Sequence, residues 1–290
     1  MIPEPDIFSF DRLQSTVAFS GGETLYPVIS AVLRDWRMEN VKSGCSSDPA
    51  ITLEKTSGGY ARRSLWLSKP SVFPDPVDAV CDFIVDLIHA YVAEQDKCLC
   101  LHGAAVEIGS GLMVFPNTYR AGKSLLSLKL VSLGARLFSD DVLPINHQDN
   151  SGTALGILPR LRLPLPETAG PVLTNFIDHR AGPQNKRYRY IRLDEKALAR
   201  CNTKAPVTAI TILQRSAEAP PSLQPAKKSD VVRDMILRNF ARQNPAIEIV
   251  DRFHQVVEQA DCFILTYDTL DQAAELINDH FGIIPVGNAR

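Results

Sequence analysis

The chain lacks the features that would tie it to one kind of partner. Its 31 Lys and Arg stand against 33 Asp and Glu, a net charge of -2 over 290 residues. No global field draws such a chain to nucleic acid or to an anionic membrane, so any basic function must be local. Long apolar runs are missing too; the longest are too short and too interrupted to span a bilayer. The first residues, Met1-Ile2-Pro3-Glu4-Pro5-Asp6, hold neither a basic n-region nor an apolar h-region. The expectation is a cytoplasmic protein without a membrane or nucleic-acid partner. The six cysteines (Cys45, Cys81, Cys98, Cys100, Cys201, Cys262) show no paired zinc-ligand spacing. Cys98 and Cys100, two apart on a strand, would share a face and read as core thiols rather than a metal or redox site. There is no internal repeat and no low-complexity tract.

What is present is an ordinary globular composition, 45% hydrophobic and 22% charged, long enough for one large domain or a core with a smaller one attached. Residues 1–70 read as short strands with Gly58-Gly59 as a hairpin turn; Val28 to Leu33 fits a helix or a buried strand equally. The proline-rich stretch Lys69 to Pro76 is a break and the best boundary candidate. It divides a small N-terminal α+β region, 1–72, from residues 73–290. Beyond it Val77, Val80, Cys81, Ile84, Leu87, Ile88, Tyr91 and Val92 keep helical spacing, with Asp75 near the N-cap. Leu99 to Ile108 reads as one strand, turned back at Gly109-Ser110-Gly111 into a hairpin with the next. Arg136 to Ile145 is a β-prone run, and Arg160 and Arg162 would share one face of an extended strand. Residues 175–189 read as a mobile loop entering a strand, and Ala217 to Pro225 as a surface loop. Val207 to Leu213 and Cys262 to Tyr267 are strands; Val231 to Phe240 and Ala273 to Ile277 lie on helices.

One stretch carries a recognisable chemistry. Leu112 to Phe115 is a short apolar run, a loop follows, the loop ends in Gly122-Lys123-Ser124, and Leu125, Leu126, Leu128 and Leu130 continue at helical spacing. That is the strand, loop and helix order of a phosphate-binding P-loop. Backbone N–H groups from Asn117, Thr118, Tyr119, Arg120 and Ala121 onward would converge on anionic oxygens, Lys123 adds a charge, and the Ser124 hydroxyl can ligate Mg²⁺. Asn117 replaces the first glycine of the pattern; Asn is the residue that best tolerates the left-handed backbone glycine supplies. Tyr119 and Arg120 bring bulk and charge where small residues are usual.

A phosphate loop that transfers phosphoryl groups needs acids. Asp140-Asp141 ends the first candidate strand after the loop's helix; neighbours on a strand face opposite ways, so one acid would face the metal and the other the acceptor. His102, alone on a strand, is more often a core or edge histidine than a catalyst. Arg160, Arg162, Lys186, Arg187 and Arg189 are the clustered cations beyond the loop.

With these residues placed, the segment from Leu101 to Ile145 resembles the catalytic core of HPr kinase/phosphorylase: His-Gly on a strand, a short turn, a P-loop, a helix, then an Asp-Asp strand. Weaker likeness continues through Leu158 to Pro164, Lys186 to Ile191 and Cys262 to Ile277. The resemblance implies the fold shared with phosphoenolpyruvate carboxykinase, a mixed sheet around a P-loop. It implies ATP or another nucleoside triphosphate with Mg²⁺, and a hydroxyl acceptor on a peptide, protein or small molecule. It implies Gly122 and Lys123 on the β- and γ-phosphates, Ser124 and Asp141 on the metal side, Asp140 as general base and His102 beside the moving phosphoryl group. Lys186 and Arg187 match a basic site that faces the phosphates in the related proteins. Oligomers are a family habit. No region matches the family's HPr-binding helix, so HPr is a poor expectation for the acceptor. The competing expectation is an inactive nucleotide- or phosphate-sensing module of the same fold.

Overall fold

The computed structural model describes residues 5–41, 48–95, 98–116, 121–241 and 243–283, a mixed α/β architecture with three sheets. Short runs with an apolar face build the first sheet: β1 (Asp6–Phe10), β2 (Thr16–Ser20), β3 (Met38–Asn40), β4 (Ile51–Thr56), β5 (Gly59–Ser64) and β6 (Ser71–Phe73), in the order β3-β1-β2-β4-β5-β6. The Gly58-Gly59 hairpin joins β4 to β5 as expected. Gly59 sits at φ 125, where a Cβ would strike the Phe73 carbonyl oxygen, so only glycine turns the chain there. Val28 to Leu33 resolves as helix α1 (Tyr26–Val32), with Pro27 in its first turn. The proline-rich break is not bare: its Ser71–Phe73 pairs with β5.

Helix α2 (Pro76–Glu94) follows, and the Asp75 carboxylate accepts from the Val77 and Asp78 N–H groups as its N-cap. Phe83 packs at a tilt against the Phe10 and Phe19 rings of the first sheet, 6.1 and 5.6 Å between centroids. Truncating such a fully buried ring costs about 3–5 kcal/mol. Arg62 of β5 reaches Asp86 and Asp82 of α2, 3.4 and 3.3 Å away. The opposite stripe of α2, Cys81, Ile84, Val85 and Ile88, faces a cavity.

The largest sheet is made of β7 (Leu99–His102), β8 (Ala104–Ile108), β9 (Gly111–Phe115), β10 (Arg136–Ser139), β11 (Val142–Ile145), β12 (Ser151–Thr153), β16 (Lys204–Arg215), β17 (Ser222–Pro225) and β18 (Asp261–Tyr267). β16 runs parallel to β9 and β18 and antiparallel to β12. Two expected strands are each broken in two. Leu99 to Ile108 divides at Gly103: β8 makes the expected hairpin with β9, whereas β7 pairs with β11. Glycine suits the break, since a Cβ at position 103 would lie 2.9 Å from the Phe115 carbonyl oxygen. Arg136 to Ile145 divides at Asp140-Asp141, with β10 on β8 and β11 on β7. The two breaks lie abreast, joined by Gly103 N–H to the Asp141 carbonyl at 3.0 Å and by the Ser139 hydroxyl to the Gly103 carbonyl.

Helix α3 (Lys123–Ser132) begins at Gly122 and ends before Gly134, whose φ of 113 closes it. A three-stranded sheet, β13 (Arg160–Arg162), β15 (Tyr188–Ile191) and β14 (Ala181–Gln184), stands beside the large one. The expected loop over 175–189 is instead the end of α4 (Gly170–Asp178) followed by β14 and its turn. Ala217 to Pro225 likewise is not all loop, because Ser222–Pro225 pairs with β18. Helices α5 (Lys228–Leu237), α6 (Ala246–Gln259) and α7 (Leu270–Phe281) complete the chain, α7 opened by a Thr269–Gln272 capping box. Cys98 and Cys100 are both buried core thiols. Among the described residues, no helix is long and apolar enough to cross a membrane.

Candidate active site

The strand before the expected phosphate loop, β9, and the helix after it, α3, stand in the predicted order. Asn117, Thr118, Tyr119 and Arg120 lie outside the described residues. Gly122 holds φ 88, ψ 6, a left-handed turn into α3, and a Cβ there would lie 3.2 Å from the Tyr267 hydroxyl. That hydroxyl donates to the Ala121 carbonyl at 3.3 Å and fixes the entry to the helix. No described side chain caps the N-terminus of α3. The first N–H groups of a helix have no partner within it and attract anions.

A pocket of about 700 Å³ opens at this end of α3, and Ala121, Gly122, Lys123 and Ser124 form one wall. His102, Asp140 and Asp141 line the same pocket, so the two strand breaks deliver their chemistry to one place. Asp140 Oδ2 accepts from the Arg160 N–H at 3.0 Å. Its Oδ1 is shut off from solvent and makes no hydrogen bond. Asp141, half exposed, faces His102 Nε2 at 3.5 Å and Arg160 at 3.9 Å. The Arg160 guanidinium lies over the Tyr188 ring, 4.8 Å from its centre.

Lys186 and Arg187 go elsewhere. They occupy the turn between β14 and β15, exposed, and neither lines the pocket. Arg187 faces Asp78 at the start of α2, 3.5 Å away. Arg238 is the residue the sequence reading passed over. Its carbonyl accepts the His102 N–H at 2.7 Å, and its guanidinium is near enough to depress both His102 and Lys123. It lay inside an apolar-patterned helix stretch, where nothing in the local spacing marks it as a site residue.

Burial and crowding set the electrostatics. Asp140 is pushed up to about 6, first by burial and then by Asp141; the Arg160 N–H and the Ser124 hydroxyl oppose this. The Ser124 hydroxyl is near enough to favour the carboxylate without reaching hydrogen-bonding geometry with Oδ1. His102 is lowered from the usual imidazole range by burial, against the pull of Asp141, with Lys123, Arg238 and Arg160 adding to the depression. Lys123, nearly inaccessible to solvent, is lowered by burial while both acids pull it back up. The arrangement offers an amine, a poised carboxylate and a neutral imidazole around one space. Such groups can bind an anion and take a proton from a neighbouring hydroxyl.

No protein-family model matches this chain, and no curated protein sequence does. Among solved structures, the HPr(Ser) kinase/phosphatase of Coxiella burnetii aligns with a TM-score of 0.32 at 14% identity, over 62% of this chain and 95% of that one.

Proposed function

We propose that this chain is an ATP- and Mg²⁺-dependent phosphotransferase, moving a phosphoryl group to a hydroxyl, with residues 73–290 carrying the chemistry. The observation that supports it most is Asp140: a carboxylate poised near pH 6, with one oxygen unpartnered, in the same pocket as Lys123 and the open start of α3. A general base works best when its pKa lies near the working pH.

On this reading the start of α3 and Lys123 hold the donor's phosphate oxygens, and Lys123 offsets charge on the transferring group. Asp140 accepts the proton of the attacking hydroxyl. His102, neutral at pH 7, sits beside the moving group, turned by Asp141. The residues also fit a divalent cation. The Ser124 hydroxyl and the half-exposed Asp141 carboxylate are hard oxygen donors on the lining of the pocket, and Mg²⁺ takes few protein ligands when phosphates supply the rest. When bound, the ion neutralises phosphate charge.

The test is transfer of labelled γ-phosphate from ATP to hydroxyl acceptors, with water as the minimal one. ATP–Mg²⁺ binding with no turnover toward any acceptor, unchanged by Asp140→Asn, would make the protein a nucleotide sensor instead.

A further inference from the structure

The pocket is larger and less polar than a phosphate site requires. Its far wall is the second stripe of α2, Ile84, Val85 and Ile88, opposed by Leu155, Ile157 and Leu161. Ile84 and Ile88 are only 6% and 5% exposed, and no charged residue of α2 lines the space. A volume of about 700 Å³ is that of a small-molecule site.

In-line displacement fixes which ligand uses this wing. Attacking and leaving oxygens lie on opposite sides of the phosphorus. The leaving oxygen belongs at the start of α3, so the attacking oxygen comes in beside Asp140. Asp140 is tied to the head of β13 through the Arg160 N–H, and among the described residues the apolar lining of the same pocket comes mainly from α2, residues 155–161, Pro164 to Pro166 and Phe240. An acceptor peptide laid against Ile84, Val85 and Ile88 would bury backbone N–H and C=O groups on side chains that offer no hydrogen-bond partner, at a cost of about 1–3 kcal/mol for each.

We infer that the acceptor is a small molecule bearing its hydroxyl on an uncharged apolar body, which fills the wing between α2 and residues 155–161. This deepens the phosphotransferase reading and rests on it. The acceptor oxygen forms the new bond to the γ-phosphorus as the bond from that phosphorus to the β,γ-bridging oxygen breaks. The hydroxyl proton passes to Asp140 and ADP leaves with the bond pair, giving a phosphomonoester.

The experiment reads phosphomonoester formation by the unaltered protein with ATP and straight-chain primary alcohols from ethanol to hexanol. Specificity, kcat/KM, is expected to rise about fourfold per methylene until the wing is full. Ile157→Phe, at a partly exposed position outside the regular strands, is expected to lower kcat/KM for hexanol at least tenfold more than for ethanol. A flat alcohol series overturns the inference. So does an equal loss of ATP–Mg²⁺ affinity in Ile157→Phe by calorimetry, which would put the nucleoside in the wing, and so does a preference for a serine peptide over every alcohol. The two readings fail separately: no ATP–Mg²⁺ binding removes both, whereas ATP hydrolysis with a flat series removes this one alone.

Discussion

Strands β13 and β15 lie side by side, and both bring arginines that look equivalent on paper. Their fates differ. Arg160, at the head of β13, gives its N–H to Asp140 and carries its guanidinium toward Asp141. Arg189 of β15 pairs with Asp178 and Gln184, and Arg187 beside it pairs with Asp78. A cation already matched to an acid of the scaffold has its charge spent on holding elements together. A cation matched to the acids of a pocket remains beside whatever the pocket binds. Proximity in sequence or in a sheet does not separate these cases; the identity of the acid does.

Substitutions on the two sides can break that contrast. The largest effect is expected from Asp140→Asn, which removes the carboxylate that draws β13 into the site: about 10²–10⁴-fold in turnover of labelled ATP. Full activity in this variant would sink the base assignment. Lys123→Met is expected to cost about 10²–10³-fold, read as kcat with ATP saturating. Arg160→Met should lose roughly tenfold, since it acts beside the acids rather than at the helix start. Arg187→Met should change turnover less than twofold, because its partner Asp78 lies at the start of α2 and neither residue lines the pocket. Equal losses in these last two variants would erase the distinction between the strands.

Acidity offers a second handle on Asp140. Activity is expected to rise as pH climbs through about 6, where the base loses its proton. An inflection near 4 would mean a solvent-exposed carboxylate instead. Stability runs the other way. The folded-state value lies above the ordinary carboxylate value, so this group favours the fold below about pH 4, and that contribution is lost as pH rises through about 6. Asp140→Asn is therefore expected to be more stable than the parent at pH 8, by about 1–3 kcal/mol in urea titrations.

The elements that were legible in the sequence are those whose pattern is set by one neighbour. Helix α2 announces itself through its apolar spacing and Asp75 cap, and the β-branched run of β16 and the apolar run of β18 read as strands before any partner is known. The breaks at Gly103 and Asp140-Asp141 were hidden because their cause is a crossing between segments far apart in the chain. β14, β17 and α6 were missed or taken as loops: two are short polar strands held by their partners, whereas α6, with Ile249, Phe253, Val256 and Val257 at helical spacing, was legible and passed over. At the site, Lys123, Ser124, Asp140 and Asp141 were named from their order along the chain and His102 only through the family resemblance, and all five line one pocket. The apolar wing carried no mark in the sequence beyond the helical spacing of α2. A buried stripe facing a cavity and one facing another side chain have the same sequence.

Strand β16 also dictates an order of events during folding. Its residues 204–206 join β12, 207–210 join β9, and 209–215 join β18, so one strand closes pairings that reach back almost a hundred residues. Until residue 204 has been made, β9 and β12 each lack a neighbour, and the start of α3 has no fixed frame on which to stand. Contacts of such separation form slowly. The pocket-lining start of α3 is therefore expected to be among the last parts to take shape, although its residues lie in the first half of the chain.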